Sequence, residues 1–508
     1  MARFNQKTKT AKKTQNYEGG DAFEHLSPQH ELYARVGTCL VKEPKFYGDA
    51  NDEFDRIKTL VKSIAADEPD FITKLASYAR NVLHLRSIPI ALLGMASLDK
   101  LAKAYVKDFT PSIIKRADEL GEVIAYISSE IGPIGDGDEK KVKGTMLPHS
   151  LQKGLKAAWK NFDEYGFAKY DKGSASVSMQ DVIRLVHPKT KDRERKKLHA
   201  KIAKGELGSA DTWEVLISGE GSTKENWEKA VKKMPIMAIL RNLRNLLDKE
   251  VSRETLDDVV DKLTNEKVIQ NSKQFPFRFF SAYKAIEDHV DRRTSKLLTA
   301  LDTAMFISIK NLPLLDGVSA VFGDVSGSMD APISGKSDIR RTEVGAVLGA
   351  VASVISPDNV VGIFSDDFKR INFSQKDSIL SRAKKMLGDG GSTNAYLAIE
   401  YLIRHKIKVD RIFFFSDMQC YDSHGYDESI HKQWKEYKAK INSNAYLYSF
   451  DLAGYGTTQV PEDDQHVLTV AGWSESVLKY VPYFEQDKET ALKEIRAITP
   501  ATYLNQSE

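Results

Sequence analysis

Residues 317–328 read GVSAVFGDVSGS, and this stretch decides the fold. Its first half, Gly317–Phe322, is a short apolar run of the β type that leads into a Gly-Asp pair. Further apolar runs alternate with helical stretches, and we predict strands at 359–364, 411–415 and 445–450 and helices at 344–355, 378–387 and 395–405. Such alternation predicts a parallel, doubly wound sheet, in which ligands bind at the carboxyl ends of the strands.

Three oxygen-bearing side chains, Asp324, Ser326 and Ser328, follow the first strand at alternate positions. In a tight turn at Gly327 they would direct one carboxylate and two hydroxyls to a common point. A weakly charged, all-oxygen set of this kind suits Mg²⁺ or Mn²⁺. Residues of these types also cap helices, but their place directly after a strand favours a metal site.

Two later loops supply further oxygens to the same edge of the predicted sheet. Gly388–Asn394 (GDGGSTN) carries Thr393, and Asp417 ends the strand that begins at Arg411. Because each loop comes after a predicted strand or before a predicted helix, we expect Thr393 and Asp417 to complete the metal site. Ser392 precedes Thr393 and is the alternative ligand for that position.

The combined motif resembles the metal-ion-dependent adhesion site of the von Willebrand A domain, and residues 316 to about 480 resemble that family. The resemblance implies that the hydroxyls of Ser326, Ser328 and Thr393 ligate the ion. It implies that Asp324 and Asp417 contact the ion directly or through water. It also implies an open coordination position that a partner's carboxylate fills, so that the domain is a docking device.

Motifs for catalysis are missing from the sequence. A phosphatase with a nucleophilic aspartate would need a second carboxylate two positions after Asp324, where Ser326 stands. The sequence contains no His-Glu-x-x-His run, no P-loop and no Gly-x-Ser-x-Gly elbow. We therefore expect a binding protein and not an enzyme.

Charge is divided unevenly along the 508 residues, although the formal net charge is only +3. Residues 1–315 carry 53 Lys and Arg against 44 Asp and Glu, whereas residues 316–508 carry 21 against 27. Residues 151–200 alone hold 12 basic and 6 acidic side chains. A basic part of this kind indicates a polyanionic partner, and the alternative is a solvated basic surface without a ligand.

The part of the chain before residue 316 shows a helical pattern. Residues 1–16 hold five basic and almost no apolar residues, which predicts a disordered basic arm. Over residues 17–315, apolar residues recur at the spacing of one helix face between proline and glycine breaks. Many amphipathic helices with little strand signal predict stacked helix pairs, as in an α-solenoid. The predicted domains are therefore the arm at 1–16, a helical body at 17–315 and the α/β domain at 316–508.

Bulk features indicate a cytoplasmic protein. The longest uncharged apolar stretch, Val344–Pro357, is too short to cross a bilayer, and the basic N-terminus has no apolar signal segment. The two cysteines, Cys39 and Cys420, offer neither a disulfide framework nor a zinc ligand set.

Four stretches of the helical body resemble the TROVE module that Ro, telomerase and vault proteins share: residues 151–162 (LQKGLKAAWKNF), 179–189 (MQDVIRLVHPK), 234–243 (MPIMAILRNL) and 270–279 (QNSKQFPFRF). A TROVE module followed by a von Willebrand A domain is the order found in the Ro ribonucleoprotein family. This resemblance implies a ring of HEAT-like helical repeats that the α/β domain closes. It also implies that single-stranded 3′ ends of misfolded noncoding RNAs enter a central hole, and that a structured Y RNA binds the basic outer face.

Six residues of the basic window are the predicted RNA contacts: Lys153, Lys156, Lys160, Arg184, His187 and Lys189. The first three have the spacing of one helix face, and the last three lie in the stretch that matches the family's histidine-containing RNA contact. For the histidine, which precedes a proline, a helix-terminal cap is the alternative role. We expect Trp159 in the core and not as a platform for base stacking.

The sequence thus predicts a monomeric, noncoding-RNA-binding protein of the Ro type that acts in RNA quality control or processing. A second hypothesis is a metal-dependent protein-docking adaptor whose helical part is only a scaffold. An RNA-processing enzyme is a third hypothesis, and the missing catalytic motifs disfavour it.

Overall fold

The computed structural model describes residues 12–25, 27–38, 50–132, 147–170, 176–208, 212–289, 291–310, 312–333, 338–374, 376–388, 390–464, 466–471, 478, 481–485 and 490–504. These residues group into two compact units. The first unit comprises residues 51–215 and 491–504, and the second comprises residues 12–50 and 216–490.

Helices account for most of the described residues. They are α1 (Pro28–Thr38), α2 (Ala50–Asp67), α3 (Phe71–Asn81), α4 (Ser87–Leu98), α5 (Lys103–Ile113), α6 (Ala117–Ile131), α7 (His149–Ala158), α8 (Glu164–Tyr170), α9 (Met179–Val186), α10 (Arg193–Lys204), α11 (Trp213–Gly219), α12 (Lys224–Lys233), α13 (Ile236–Asp248), α14 (Arg253–Thr264), α15 (Glu266–Ser272), α16 (Pro276–Ile286), α17 (Arg292–Ile309), α18 (Arg341–Ile355), α19 (Ile379–Lys385), α20 (Tyr396–Arg404), α21 (Ile430–Lys440), α22 (Val481–Phe484) and α23 (Thr490–Ala497). Among these helices none is long and apolar enough to span a bilayer.

The strands form two sheets within the second unit. They are β1 (Lys13–Gln15), β2 (Asp21–Phe23), β3 (Ser319–Asp324), β4 (Asn359–Phe364), β5 (Phe368–Ile371), β6 (Arg411–Ser416), β7 (Tyr446–Asp451) and β8 (Val467–Ala471). β1 and β2 pair as an antiparallel hairpin. In the larger sheet the described strands have the order β5-β4-β3-β6-β7-β8.

The first unit is built of packed helix pairs, among them α3 with α4, α5 with α7, and α9 with α10. Helix α9 begins where Ser178 and Asp181 each accept a backbone N–H from the other, an arrangement that satisfies two otherwise unpaired donors. Helices α5 and α7 approach closely because Gly154 has no side chain; a Cβ there would lie 2.3 Å from Thr110 Oγ1. The prediction that the chain before residue 316 is mainly helical is confirmed, whereas helices α12 to α17 group with the α/β part in the second unit.

Residues after the α/β domain return to the first unit. In helix α23, Leu492 and Ile495 are buried. The Arg496 guanidinium pairs with Glu68, which directly follows α2, and the two N–H···O distances are 2.8 and 3.1 Å. Lys115 donates to the Tyr503 carbonyl at 2.9 Å. The second unit therefore ends at residue 490, whereas the predicted α/β domain extended to residue 508. The sequence did not reveal this boundary, because a short amphipathic helix does not show which partner it packs against.

The larger sheet is parallel except at its edge strand β5, which runs antiparallel to β4. β3 lies between β4 and β6. The next strands in the chain, β4 and β5, therefore lie on one side of β3, and the later strands β6, β7 and β8 lie on the other side. The carboxyl ends of β3 and β6 thus flank a topological switch point, where α/β sheets bind ligands. The predicted doubly wound sheet is confirmed, although β3 extends two residues beyond the predicted Gly317–Phe322.

Large aromatic side chains fill the core between the sheet and its covering helices. Phe322 of β3 and Phe414 of β6 are fully buried, with ring centroids 5.4 Å apart. Trp434 and Tyr437 of α21 belong to the same cluster. Strands covered on both faces lack the polar alternation of exposed sheets, which explains the run of three phenylalanines in β6.

The hairpin formed by β1 and β2 corrects the prediction of a disordered arm over residues 1–16. Lys13–Gln15 is a strand, and Phe23 exchanges backbone hydrogen bonds of 2.9 and 3.0 Å with Thr458. The segment is ordered because its backbone and polar groups bind a distant part of the chain, which its apolar content does not show. Residues 1–11 lie outside the described residues.

We expect Phe414→Ala to lower the unfolding free energy of the α/β part by about 3–5 kcal/mol, because the substitution leaves a cavity in a close-packed core. Phe306→Ala is the matched control, since the Phe306 side chain is 55% exposed, and it should change that free energy by less than about 0.5 kcal/mol. Denaturant titrations followed by tryptophan fluorescence measure both effects. Equal losses in the two variants would contradict the assigned core.

Candidate metal centre

The five predicted metal-site residues come together at the switch point of the sheet. Asp324 is the last residue of β3, and Asp417 directly follows β6. All five side chains are buried, with exposed fractions of at most 7%: Asp324, Ser326, Ser328, Thr393 and Asp417. Buried polar groups need partners, so this cluster requires an explanation beyond helix capping.

Backbone hydrogen bonds join the three loops that carry these side chains. The Gly327 N–H donates to the Gly391 carbonyl at 3.0 Å, which ties the loop after β3 to the loop before α20. The Tyr421 N–H donates to the Thr393 carbonyl at 3.1 Å, which ties that loop to the one after β6. These backbone hydrogen bonds therefore hold the three loops together at the site.

The Asp324 carboxylate is held from two sides. Its Oδ1 accepts the Ser326 N–H at 2.9 Å, and its Oδ2 accepts the Ser416 hydroxyl at 2.7 Å. The hydroxyl oxygens of Ser326 and Ser328 are 3.4 Å apart. Ser416 was not predicted from the sequence, although its position directly before Asp417, at the end of a buried strand, was an available signal.

Asp417 is less completely satisfied. Its Oδ1 accepts the Gln419 N–H at 3.1 Å, whereas its buried Oδ2 has no hydrogen-bond partner within the part of the chain that the structure describes. Burial, and after it the charge of Asp324, raises the pKa of Asp417 to about 7. Burial likewise raises the pKa of Asp324 to about 6, against the hydrogen bonds from Ser326 and Ser416.

These residues fit a hard divalent cation. Two neighbouring buried carboxylates and three hydroxyls form an oxygen-only set, which is what Mg²⁺ and Mn²⁺ prefer. The unpartnered Asp417 Oδ2 is the kind of atom that an ion would satisfy. Across the described ranges, no group of three or more His, Cys, Asp and Glu could hold a metal, so any ion here would depend on the hydroxyls.

Ser392 and Thr393 have different environments. The Ser392 N–H donates to Asp366 Oδ1 at 2.9 Å, and its hydroxyl also hydrogen-bonds that carboxylate, which helps hold the pKa of Asp366 below its usual value. Thr393 is only 3% exposed, like the other members of the cluster. This geometry favours Thr393 as the member of the metal set.

The predicted RNA contacts on α7 differ in part from the expected arrangement. Lys153 is exposed and Lys156 is half-buried on this helix. Helix α7 ends at Ala158, and residues 159–161 form a 3₁₀ turn, so Lys160 is exposed but does not continue the same helix face. The turn forms where Trp159, only 1% exposed, packs into the core and donates its indole N–H to His199 at 3.0 Å. The predicted core position of this tryptophan is confirmed.

The second predicted set lies at the end of α9. Arg184, His187 and Lys189 are all exposed. His187 caps α9 in the left-handed conformation, with φ 52° and ψ 58°. It therefore has the alternative role of a helix-terminal cap, and its side chain is also exposed. The Gln152 side chain of α7 donates to the Leu185 carbonyl of α9 at 2.9 Å, which places the two predicted sets on neighbouring helices.

A cluster of cations and aromatic rings in the same unit was missed. Arg116 lies 4.2 Å from the ring centroid of Tyr170, and Lys169 lies 5.4 Å from the same ring and 5.9 Å from that of Tyr165. Tyr165 is 50% exposed. The available sequence signal was the presence of Tyr165, Lys169 and Tyr170 within six residues, but the contribution of Arg116 depends on the fold.

Family models match both parts of the chain. The TROVE domain model matches residues 34–207 and 204–303, more than half of the chain. The chain belongs to the TROVE family. The model of the Ro60 von Willebrand A domain matches residues 319–485, which contain the candidate metal centre. The predicted order of a TROVE module followed by a von Willebrand A domain is confirmed.

Similar proteins agree with this membership. The chain is 26% identical over 320 residues to telomerase protein component 1 of Rattus norvegicus and 25% identical over 310 residues to that of Mus musculus. These matches cover 47% and 46% of this TROVE protein but only 12% of each relative, so the chain spans a small part of the relatives' length. The crystal structure of the Deinococcus radiodurans Ro protein has the same fold, with a TM-score of 0.63, 16% identity, and coverage of 91% of this chain and 99% of that one.

We expect the metal-free protein to lose stability as the pH rises from about 4 to above 7. A carboxyl whose pKa is raised in the folded state contributes stability below its unfolded pKa, and this contribution is lost as the pH passes the folded pKa. Asp417→Asn removes one charge, so in EDTA at pH 8 this variant should be more stable than wild type by on the order of 2 kcal/mol. Denaturant titration at pH 4 and pH 8 measures the difference, and a variant of unchanged stability at pH 8 would contradict it.

Proposed function

We propose that this TROVE protein binds noncoding RNA in the manner of the Ro family. A structured Y-like RNA binds the basic outer face, and single-stranded 3′ ends of misfolded RNAs enter a central hole. The protein acts as a cytoplasmic monomer in RNA quality control or processing and has no catalytic activity of its own. Family membership supports RNA as the class of partner, and the exposed basic residues of α7 and α9 support the place of binding.

The observation that carries this proposal is the exposure of the predicted basic residues on neighbouring helices. Lys153 and Lys160 have no ion-pair partner among the described residues, and neither do Arg184 and Lys189. Cations without intramolecular partners are free to replace the counterions of a phosphate backbone. Such contacts position RNA without reading its bases, and the sequence contains no RNA-recognition aromatic motif that would read them.

The cation–aromatic cluster lies close to this face. Lys201 of α10 pairs with Glu164 at 2.7 Å, and Glu164 begins the helix that carries Tyr165 and Lys169. Exposed aromatic rings flanked by cations bind unpaired bases by stacking, independently of sequence. A structured RNA with an unpaired loop or end would therefore find both phosphate and base contacts here.

We propose further that the cluster of Asp324, Ser326, Ser328, Thr393 and Asp417 holds Mg²⁺ or Mn²⁺. The ion would neutralise the two buried carboxylates and keep an open position for an acidic ligand from a partner protein. The serine and threonine hydroxyls would orient around the ion, while backbone N–H groups hold the carboxylates in place. This part of the proposal concerns docking and not catalysis.

A second candidate function follows from the same centre. The protein would be a metal-dependent docking adaptor whose helical part is a scaffold, and the unpartnered Oδ2 of Asp417 supports it. The two functions differ in one measurable property, because the adaptor needs no RNA. RNA that copurifies with the protein, seen as a high ratio of absorbance at 260 to 280 nm, supports the Ro-type function.

Replacing Lys153, Lys156 and Lys160 by glutamate should weaken the binding of a structured RNA at least tenfold, because repulsion replaces phosphate contacts. The slope of log affinity against log salt should also fall by about 2 to 3. The matched control replaces Lys406, Lys408 and Lys435, exposed lysines of the α/β part, by glutamate with the same change in net charge. Filter binding across a salt series measures both. Equal weakening in the two variants would place the RNA elsewhere.

Added Mg²⁺ or Mn²⁺ should raise the melting temperature of the wild type, because an ion that binds only the folded state stabilises it. Ser326→Ala and Thr393→Val should reduce this rise, since each removes one hydroxyl ligand. Ser392→Ala is the matched control and should respond like the wild type. If all variants respond equally, the metal is not bound by this cluster; if Ser392→Ala alone loses the response, Ser392 is the ligand.

A further inference from the structure

The N-terminal hairpin contacts the loop that follows Asp417. The Asn16 side-chain amide donates to the Cys420 carbonyl at 2.7 Å and lies 3.5 Å from the Met418 carbonyl. The Tyr17 N–H donates to the Gln419 side-chain carbonyl at 2.8 Å. Three consecutive residues of the loop are therefore held by two consecutive residues of the hairpin, about 400 positions earlier in the chain.

Gln419 connects the hairpin to the candidate ligand itself. Its backbone N–H donates to Asp417 Oδ1 at 3.1 Å, and its side-chain amide donates to the Asp417 carbonyl at 3.4 Å. The Gln419 side chain is fully buried, so its carbonyl and amide ends are fixed by these partners. Two hydrogen bonds, both made by Gln419, thus link the backbone N–H of Tyr17 to the carboxylate of Asp417.

The backbone of this loop needs support. Met418 adopts φ +66°, in the left-handed region that residues with a side chain rarely populate. Such a conformation persists only where the surroundings hold it. Asn16 contacts the carbonyl of Met418 and that of Cys420, so the hairpin binds on both sides of the Gln419 peptide.

The hairpin fits the loop without spare room. A Cβ on Gly20 would lie 2.2 Å from the Cys420 carbonyl oxygen and 2.8 Å from the Tyr421 Cβ. The Asn16 side-chain carbonyl accepts the N–H groups of Glu18 and Gly20 at 3.1 and 2.9 Å, which fixes the hairpin turn against the loop. Any side chain at position 20 would therefore push the hairpin away from the loop.

A second connection runs through aromatic rings. The Tyr17 ring packs edge-on against Tyr455, with ring centroids 5.6 Å apart. The Tyr455 hydroxyl accepts a hydrogen bond of 2.7 Å from Arg341, a buried cation whose charge favours the ionised form of Asp417. The hairpin therefore also contacts the residue that holds this positive charge in place.

We propose that the N-terminal hairpin, residues 12–25, positions Asp417 for metal binding by holding the loop at 418–420 in place, with Met418 in its left-handed conformation. The proposal rests on the proposed metal centre and adds to it a set of positioning residues, Asn16, Gly20 and Gln419, that do not touch the ion. Groups that orient metal ligands from behind change metal affinity by roughly 10- to 100-fold when they are removed.

The test measures Mn²⁺ binding to the full-length protein by calorimetry and by electron paramagnetic resonance. Asn16→Asp keeps the oxygen that caps the hairpin turn but replaces the amide donor by an oxygen that repels the Cys420 carbonyl. Gly20→Ala pushes the hairpin from the loop. Gln15→Ala, an exposed position of β1, is the matched control. We expect about tenfold weaker Mn²⁺ binding and an altered spectrum of bound Mn²⁺ for the first two variants, and wild-type behaviour for the control.

Melting curves in EDTA separate positioning from general damage. If Asn16→Asp melts in EDTA like the wild type and binds Mn²⁺ more weakly, the positioning role is supported. If both Asn16→Asp and Gly20→Ala bind Mn²⁺ with wild-type affinity and spectrum, the role of the hairpin is overturned while the metal centre stands. If the wild type itself shows no saturable Mn²⁺ binding that Asp417→Ala abolishes, the proposed metal centre is overturned and the positioning role with it.

Discussion

Two carboxylates that end neighbouring strands inside the protein impose the main constraint on this structure. Asp324 and Asp417 are both buried, and each charge is costly in a site that excludes water. Hydroxyls and backbone N–H groups of the surrounding chain hydrogen-bond the other carboxylate oxygens, whereas Asp417 Oδ2 has no hydrogen-bond partner among the described residues. The switch in strand order creates the place where three loops can meet around such a pair.

This constraint also explains why the sequence was informative here. A buried strand must be apolar, so a carboxylate at its end stands out, and hydroxyls at alternate positions are visible in the printed sequence. Ser326, Ser328 and Thr393 could therefore be grouped with the two aspartates before any geometry was known. The same holds for the central strands, whose apolar runs exceed what an exposed sheet requires.

Features that depend on distant contacts were not predictable in the same way. The hairpin has a polar sequence, and its order comes from hydrogen bonds to a loop about 400 residues later. The edge strand β5 is short and carries two exposed charges, so it has no strong strand signal. Lys160 fits a helical spacing, but it lies within the 3₁₀ turn that begins at the buried Trp159. In each case tertiary packing overrides the local pattern.

Neither compact unit is a continuous stretch of chain. The hairpin belongs with the α/β part, and residues 491–504 belong with the helices that begin at α2. A cut between residues 315 and 316 would therefore divide both units, because it would separate Arg496 from Glu68 and the loop at 418–420 from the hairpin. During synthesis on the ribosome, about 400 further residues must be made after α2 and α3 before α23, which belongs to the same unit, emerges. Such a high contact order predicts slow folding and an early dependence on chaperones.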